Sequence, residues 1–211
     1  INLMSSASYD LTHSLSAFAS VNYTDSSSKR DLAPASGSFS VSGTNPNTIF
    51  PGEDVDVIYR LLELGPRTDD FETDAYNLLA GLTGTFRAWD WELGAGGGKI
   101  DTKITGENGY ATQTAVQNAV DDGTLNLFGT SPNLDPNAIS YETRRDGESK
   151  MYFVDFKIGG DILDMKHGAL SAAAGAEYRK EEFSDEFDPV TESGDVLGVG
   201  GISSDGDRHS E

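Results

Sequence analysis

Apolar and polar residues alternate on both sides of three very short turns, much longer connections separate these hairpins, and aromatic residues gather near the strand ends. Together these features predict an all-β chain: an antiparallel meander of about six long strands, part of a transmembrane β-barrel, with long loops containing a short helix. Strand side chains alternate faces with period two, so each hairpin presents one apolar face and one polar face. Tight turns at one end and long loops at the other match a barrel with periplasmic turns and extracellular loops.

The first hairpin, about 1–25, sets Leu3, Ser5, Ala7, Tyr9 and Leu11 on one face and turns near His13. It returns through Leu15, Ala17, Ala19, Val21 and Tyr23, with Ser16, Phe18, Ser20, Asn22 and Thr24 opposed. The second, about 72–104, places Tyr76, Leu78, Ala80, Leu82, Gly84 and Phe86 on the apolar face and turns over 87–90. Trp89, Trp91, Leu93, Ala95 and Gly97 continue that face. The third, about 149–184, descends through Tyr152, Val154, Phe156, Ile158, Gly160 and Ile162 and turns over 164–168. It rises through Leu170, Ala172, Ala174, Ala176 and Tyr178, while Glu177, Arg179 and Glu181 point the other way. Each strand needs about ten residues to cross the hydrocarbon layer, and amphipathic rings favour its two borders.

The loops are expected at about 26–71, 105–148 and 185–211. Alternation over Asp54–Leu64, broken at Gly65-Pro66, predicts a strand projecting above the membrane. Ala115, Val116, Ala119 and Val120 at helical spacing, followed by Gly123, predict a helix over 111–122. Asp135-Pro136 caps and starts another short turn. The Gly/Ser/Asp-rich stretches 36–47 and 191–211 are expected to be mobile.

A mean hydropathy of -0.41 does not exclude a membrane site, because a barrel strand needs only every second residue apolar. No apolar run is long enough for a membrane helix. The start shows no basic segment followed by an apolar one, which is expected of a processed chain or an internal piece. A net charge of -20 repels nucleic-acid phosphates and no basic stripe offsets it, so nucleic acid is not an expected partner. Without cysteine there are no disulfides, thiolate metal sites or thiol nucleophiles.

Motifs for catalysis are missing. Gly94-Ala-Gly-Gly-Gly-Lys99 resembles a phosphate loop, but Leu93 stands at the required leading glycine and Ile100 at the Ser/Thr, so these are small strand residues. His13, His167 and His209 are too scattered for a metal centre, and no Gly-x-Ser-x-Gly elbow exists. Glu181, Glu182, Asp185, Glu186 and Asp188 lack the spacing of a calcium loop and are expected to be a solvated loop, with weak Ca²⁺ or lipid-bridging cation binding as the alternative. Asn22-Tyr-Thr24 is a formal glycosylation sequon inside a strand. No enzyme, cofactor or metal is therefore expected. If lipid meets the apolar face, Glu177, Arg179 and Glu181, with Asp155 and Lys157, line a lumen and form cross-strand ion pairs or touch a passing solute.

These stretches together resemble the TonB-dependent outer-membrane receptors of Gram-negative bacteria. The resemblance is carried by Tyr9-Asp-Leu-Thr-His-Ser-Leu-Ser-Ala-Phe18, Leu64-Gly-Pro-Arg67, Leu79-Ala-Gly-Leu-Thr-Gly84, Trp89-Asp-Trp-Glu-Leu93 and Ala174-Gly-Ala-Glu-Tyr-Arg-Lys-Glu181. It implies an outer-membrane location and a barrel of roughly 22 strands filled by a plug. The barrel would import a scarce solute such as a siderophore, an oligosaccharide or a peptide. The implied partners are outer-membrane lipid, the plug domain of the parent chain, a periplasmic energy-transducing protein acting through that plug, and the small solute. This chain carries neither plug nor energy-coupling box and is expected to be an interior slice of such a barrel. Tyr59, Arg67, Tyr110 and Arg144 in the loops, with Glu177 and Arg179 in the lumen, are the candidate ligand contacts. The competing expectation is a soluble secreted β-sandwich that binds carbohydrate or a surface partner.

Overall fold

A computed structural model describes residues 1–210. Its strands are β1 (Asn2–Thr12), β2 (Leu15–Leu32), β3 (Ser36–Val41), β4 (Val55–Arg60), β5 (Arg67–Phe86), β6 (Trp89–Asn108), β7 (Thr143–Met165), β8 (Gly168–Phe187) and β9 (Ser204–Ser210). The helices are α1 (Gln113–Asp121), α2 (Pro136–Ile139) and α3 (Pro189–Glu192), with a single 3-10 turn at Leu62–Leu64. Seven strands form one open antiparallel sheet in the order β1-β2-β5-β6-β7-β8-β9, and β3 and β4 pair separately. The expected six-strand meander is therefore present, with β9 as a seventh member paired to the upper half of β8.

Register carries the apolar rows across the whole sheet. Ala7 lies opposite Ala19, Ala19 opposite Ala80, Ala80 opposite Ala95, Ala95 opposite Val154 and Val154 opposite Tyr178. Directly opposed residues share a face, so six separately alternating strands merge into one apolar surface. Among the described residues nothing packs on it: Leu78 is 59% exposed, Val154 50% and Tyr178 46%. On the polar face, glycines leave room for aromatic rings. A Cβ on Gly81 would sit 2.4 Å from the Phe18 ring, and one on Gly96 would sit 2.8 Å from Phe153.

The upper aromatic row crosses the register diagonally. Tyr23 lies opposite Tyr76; Tyr76 pairs with Lys99 and Lys99 with Lys150, which puts Tyr152 two residues nearer the turns. Tyr178 lies opposite Val154, two residues nearer again. The hairpin turns step the same way. Leu15 faces Gly84, short of the β5 end at Phe86, and Trp89 faces Gly160, well short of the β7 end at Met165.

Above the aromatic row the five long strands continue without apolar alternation, and so outrun the hairpin spans read from pattern alone. Backbone ladders persist there, and ion pairs join neighbouring strands: Lys29 to Asp70 (3.3 Å), Arg30 to Asp69 (2.6 Å) and Arg145 to Asp185 (2.6 Å).

The hydrophobic core lies not in the sheet but in the layer of loops above it. Phe39, Leu61, Val116, Val120, Leu125 and Ile139 are at most 1% exposed, and Leu197 closes the cluster from the third loop. The stretch 36–47, expected to be mobile, instead contributes β3, whose Phe39 and Val41 are buried. Gln113 and Gln117 of α1 satisfy its edge: their side-chain nitrogens donate to Ser38 O (2.7 Å) and Ser40 O (2.8 Å), and Ser40 N donates to Gln117 Oε1 (3.1 Å). The Asp54–Leu64 alternation does form β4, but in this small sheet rather than as an upward extension of the large one. Helix α1 matches its predicted stripe: Thr112 caps it by accepting from Ala115 N (3.1 Å), and Gly123 at φ 78° ends it. Asp135 caps α2 as expected, accepting from Asn137 N. Within 191–211, also expected to be mobile, Ser204–Ser210 is strand β9; Glu211 lies outside the described residues.

Candidate functional site

A cavity of about 420 Å³ opens where the polar face of the long strands meets the loop layer. The period-two parity of the sheet builds most of it. Arg30 on β2, Asp69 and Phe71 on β5, Ile104 on β6, Thr143 and Arg145 on β7, and Phe187 on β8 share one face: Arg30 is opposite Asp69, Phe71 opposite Ile104, Ile104 opposite Arg145 and Arg145 opposite Phe187. The loops add Tyr110 and the Gly198–Gly200 segment, and Arg67 and Arg144 enter from the first residues of their strands.

Four arginines and one aspartate line this cavity, although the whole chain carries a net charge of -20; the Arg144 side chain bonds Asp146 (2.6 Å) on the other face of β7. Each of three arginines lies over a ring: Arg30 over Phe71 (5.1 Å), Arg67 over Tyr110 (5.6 Å) and Arg145 over Phe187 (4.8 Å). Arg145 grips Asp185 through Nε (2.7 Å) and Nη2 (2.6 Å), which raises its own pKa and lowers that of Asp185. Arg67 has no carboxylate partner among the described residues; Nε donates to Ala33 O (2.9 Å) and Nη1 to Gly198 O (3.0 Å). Tyr110 is the floor, with its ring buried and its hydroxyl donating to Asp69 Oδ1. Burial first, then that hydrogen bond, pushes its phenol up to about 12, so it stays a neutral donor.

Three of the six expected contacts meet here: Arg67, Tyr110 and Arg144. Tyr59 does not; its hydroxyl donates to Glu63 (2.6 Å) in the core layer, and burial followed by that bond raises it to about 12. Glu177 and Arg179 lie on the same face as the cavity but eight residues or more below Phe187 along β8, roughly 26 Å away. Arg179 pairs along its own strand with Glu177 (2.6 Å) and Glu181 (3.8 Å), while Lys157 reaches across to Glu92 (3.4 Å). Cross-strand ion pairs do form, Lys157 with Glu92 and Glu181 with Arg208 of β9 (3.3 Å), but not between β7 and β8, because register places Asp155 opposite Glu177 and Lys157 opposite Gly175. Arg30, Phe71, Arg145 and Phe187 were missed by the sequence reasoning. Extending the strand parity beyond the apolar span would have put all four on the polar face.

The acidic stretch 181–188, expected to be a solvated loop, instead continues β8 as far as Phe187, where its residues divide between the two faces, and Asp188 caps the next helix. Asp188 starts α3 and accepts from Val190 N (3.1 Å), Thr191 N (2.9 Å), Thr191 Oγ1 (2.6 Å), Arg144 N (3.0 Å) and Tyr141 Oη (2.7 Å). Burial works to raise this carboxyl, but the donors win and hold it at about 2. Because the folded value lies below the unfolded one, docking of the third loop is stabilised above about pH 4 and weakens as pH falls towards 2. Pepsin is expected to spare residues 188–203 at pH 4 and cut them increasingly towards pH 2, and to cut Asp188→Asn at both; equal cutting of the parent protein across that range would refute the anchoring. Among the described residues no group of three or more His, Asp or Glu side chains could hold a metal ion.

No protein-family model, curated protein or solved structure matches this chain.

Proposed function

We propose that the chain forms wall and extracellular-loop structure of an outer-membrane β-barrel that imports a scarce solute, as its resemblance to TonB-dependent receptors implies. The observation that carries this proposal is the diagonal aromatic row. From Tyr23 to Tyr178 it drops four residues over four strand intervals. At about 3.3 Å per residue and 4.8 Å between strands, a flat border crossing the sheet on that line implies strands tilted by about 35°. Transmembrane barrel strands tilt by roughly 35–45°. Soluble sheets have no flat border to meet and no reason for such a row.

The vertical dimension agrees. Tyr76 and Phe86 are ten residues apart on β5, about 33 Å along the strand and about 27 Å in height at that tilt, close to the ~25 Å apolar band of a barrel. Lys150 and Lys180 stand one same-face position above Tyr152 and Tyr178, with Lys99 level with Lys150 on β6. Carboxylates follow: Lys99 bonds Asp101 and Glu148 (both 2.7 Å), and Lys180 pairs with Glu182. The order of apolar band, tyrosine, lysine and carboxylate suits a lipid-to-water border, where long cationic side chains reach for the polar side. A sandwich would bury one face of the sheet against another sheet; here the only described second sheet is the β3–β4 pair in the loop layer.

The chain has no cysteine, so single spin labels report cleanly. In outer-membrane lipid, labels at Ala19→Cys and Leu78→Cys are expected to collide with oxygen more than with a water-soluble nickel complex, and a label at Ser20→Cys the reverse. Uniform nickel accessibility along β2 and β5 would end the membrane assignment.

A further inference from the structure

The geometry points to the solute class for the mouth cavity: a small polyanion built on a flat ring, its carboxylate or other oxyanion groups held by Arg30, Arg67 and Arg145. The inference rests on the cavity being the solute's entrance. Three features define the class. First, four arginines and one aspartate line the cavity inside a strongly acidic protein; Arg30, Arg144 and Arg145 are paired with Asp69, Asp146 and Asp185, and Arg67, held only by backbone carbonyls, is the cation left over. A local positive field within an acidic surface attracts anions to one place and repels them elsewhere.

Second, the guanidinium groups are held in place yet keep free donors. Arg67 is fixed by two backbone carbonyls, leaving Nη2 without a partner among the described residues. Arg30 uses only Nη2, on Asp69, and Arg145 uses Nε and Nη2 on Asp185. Rigid forks with spare N–H groups suit planar oxyanions, and an arginine already held loses little freedom on binding.

Third, the ring preference follows from the apolar part of the lining. Phe71, Ile104 and Phe187 come from β5, β6 and β8, with Arg145 of β7 between the last two. Phe71 and Phe187 lie directly beneath Arg30 and Arg145, so aromatic carbon and guanidinium stand side by side in the lining, which suits an aromatic or other flat ligand with charge at its edge. The volume, about 420 Å³, suits one small ring system rather than an extended chain.

The test titrates benzene-1,2,4-tricarboxylate into purified protein in detergent micelles. Binding is expected, weakening with added salt. Arg67→Gln and Arg145→Gln are each expected to lower affinity about tenfold or more, and Arg87→Gln, at a hairpin turn remote from the cavity, to leave it unchanged. The trimethyl ester and inorganic phosphate are expected to bind at least tenfold more weakly. Arg145 bonds Asp185 on the neighbouring strand and, among the described residues, no loop carbonyl, so its variant keeps the loops in place if Arg67→Gln loosens them. Equal affinity in Arg67→Gln, Arg145→Gln and the parent protein, or equal binding of the ester or phosphate, would overturn the inference. Arginine-dependent binding without lipid exposure of β2 and β5 would remove only the membrane role; lipid exposure without such binding would remove only the ligand class.

Discussion

Ala174→Arg is expected to block membrane assembly, while Ala173→Arg leaves it close to normal. The two residues are neighbours on β8, equally small and both exposed. Ala174 lies opposite Ile158, in the row that continues through Trp91, whereas Ala173 lies opposite Gly159 on the face shared with Lys157 and Glu177. An arginine facing hydrocarbon near mid-depth costs about 2–4 kcal/mol, and on the lumen side almost nothing. That difference is roughly 30- to 700-fold in an assembly equilibrium. Yield of folded protein in the outer-membrane fraction measures it directly. Equal yields from the two variants would show that the apolar face does not meet lipid.

Phe39→Ala is the second large effect, and it separates the two halves of the molecule. Phe39 is 1% exposed at the centre of a small core built by three loops. Removing a buried phenylalanine costs about 3–5 kcal/mol, a large share of what such a core supplies. The loop layer is expected to open, with trypsin cutting after Arg60, while amides of the sheet from Leu78 to Leu82 keep their slow exchange. The ladders of β5 with β2 and β6 share no residue with this core. Simultaneous loss of sheet protection would mean that the loops and the sheet fold as one unit. The same substitution is expected to weaken binding at the mouth, because Arg67 is positioned by Ala33 and Gly198 carbonyls, next to the core residues Ala35 and Leu197.

Alternation was enough to place the three hairpins and the face of each strand, because period two is a local property that needs no knowledge of partners. Helix α1 and the cap of α2 were equally legible, since Thr112, Gly123 and Asp135 act on backbone groups only a few residues away. What pattern could not show was β3 and β9. Their Gly/Ser/Asp-rich sequences have no strand preference of their own and are ordered by distant neighbours, Val55–Arg60 and Arg179–Asp185.

Half of the mouth was visible as isolated arginines and tyrosines in loops. Tyr59 could not be told from Tyr110 until the fold sent one to Glu63 and the other to Asp69. Arg30 and Arg145 lie 115 positions apart in the chain and join one cavity only through the register of four strands. The sequence by itself thus determined strand parity, turn positions and local caps, all settled by backbone geometry over a few residues. Tertiary structure alone decided the register, the diagonal aromatic row and the convergence of arginines, because each depends on which distant strands share hydrogen bonds.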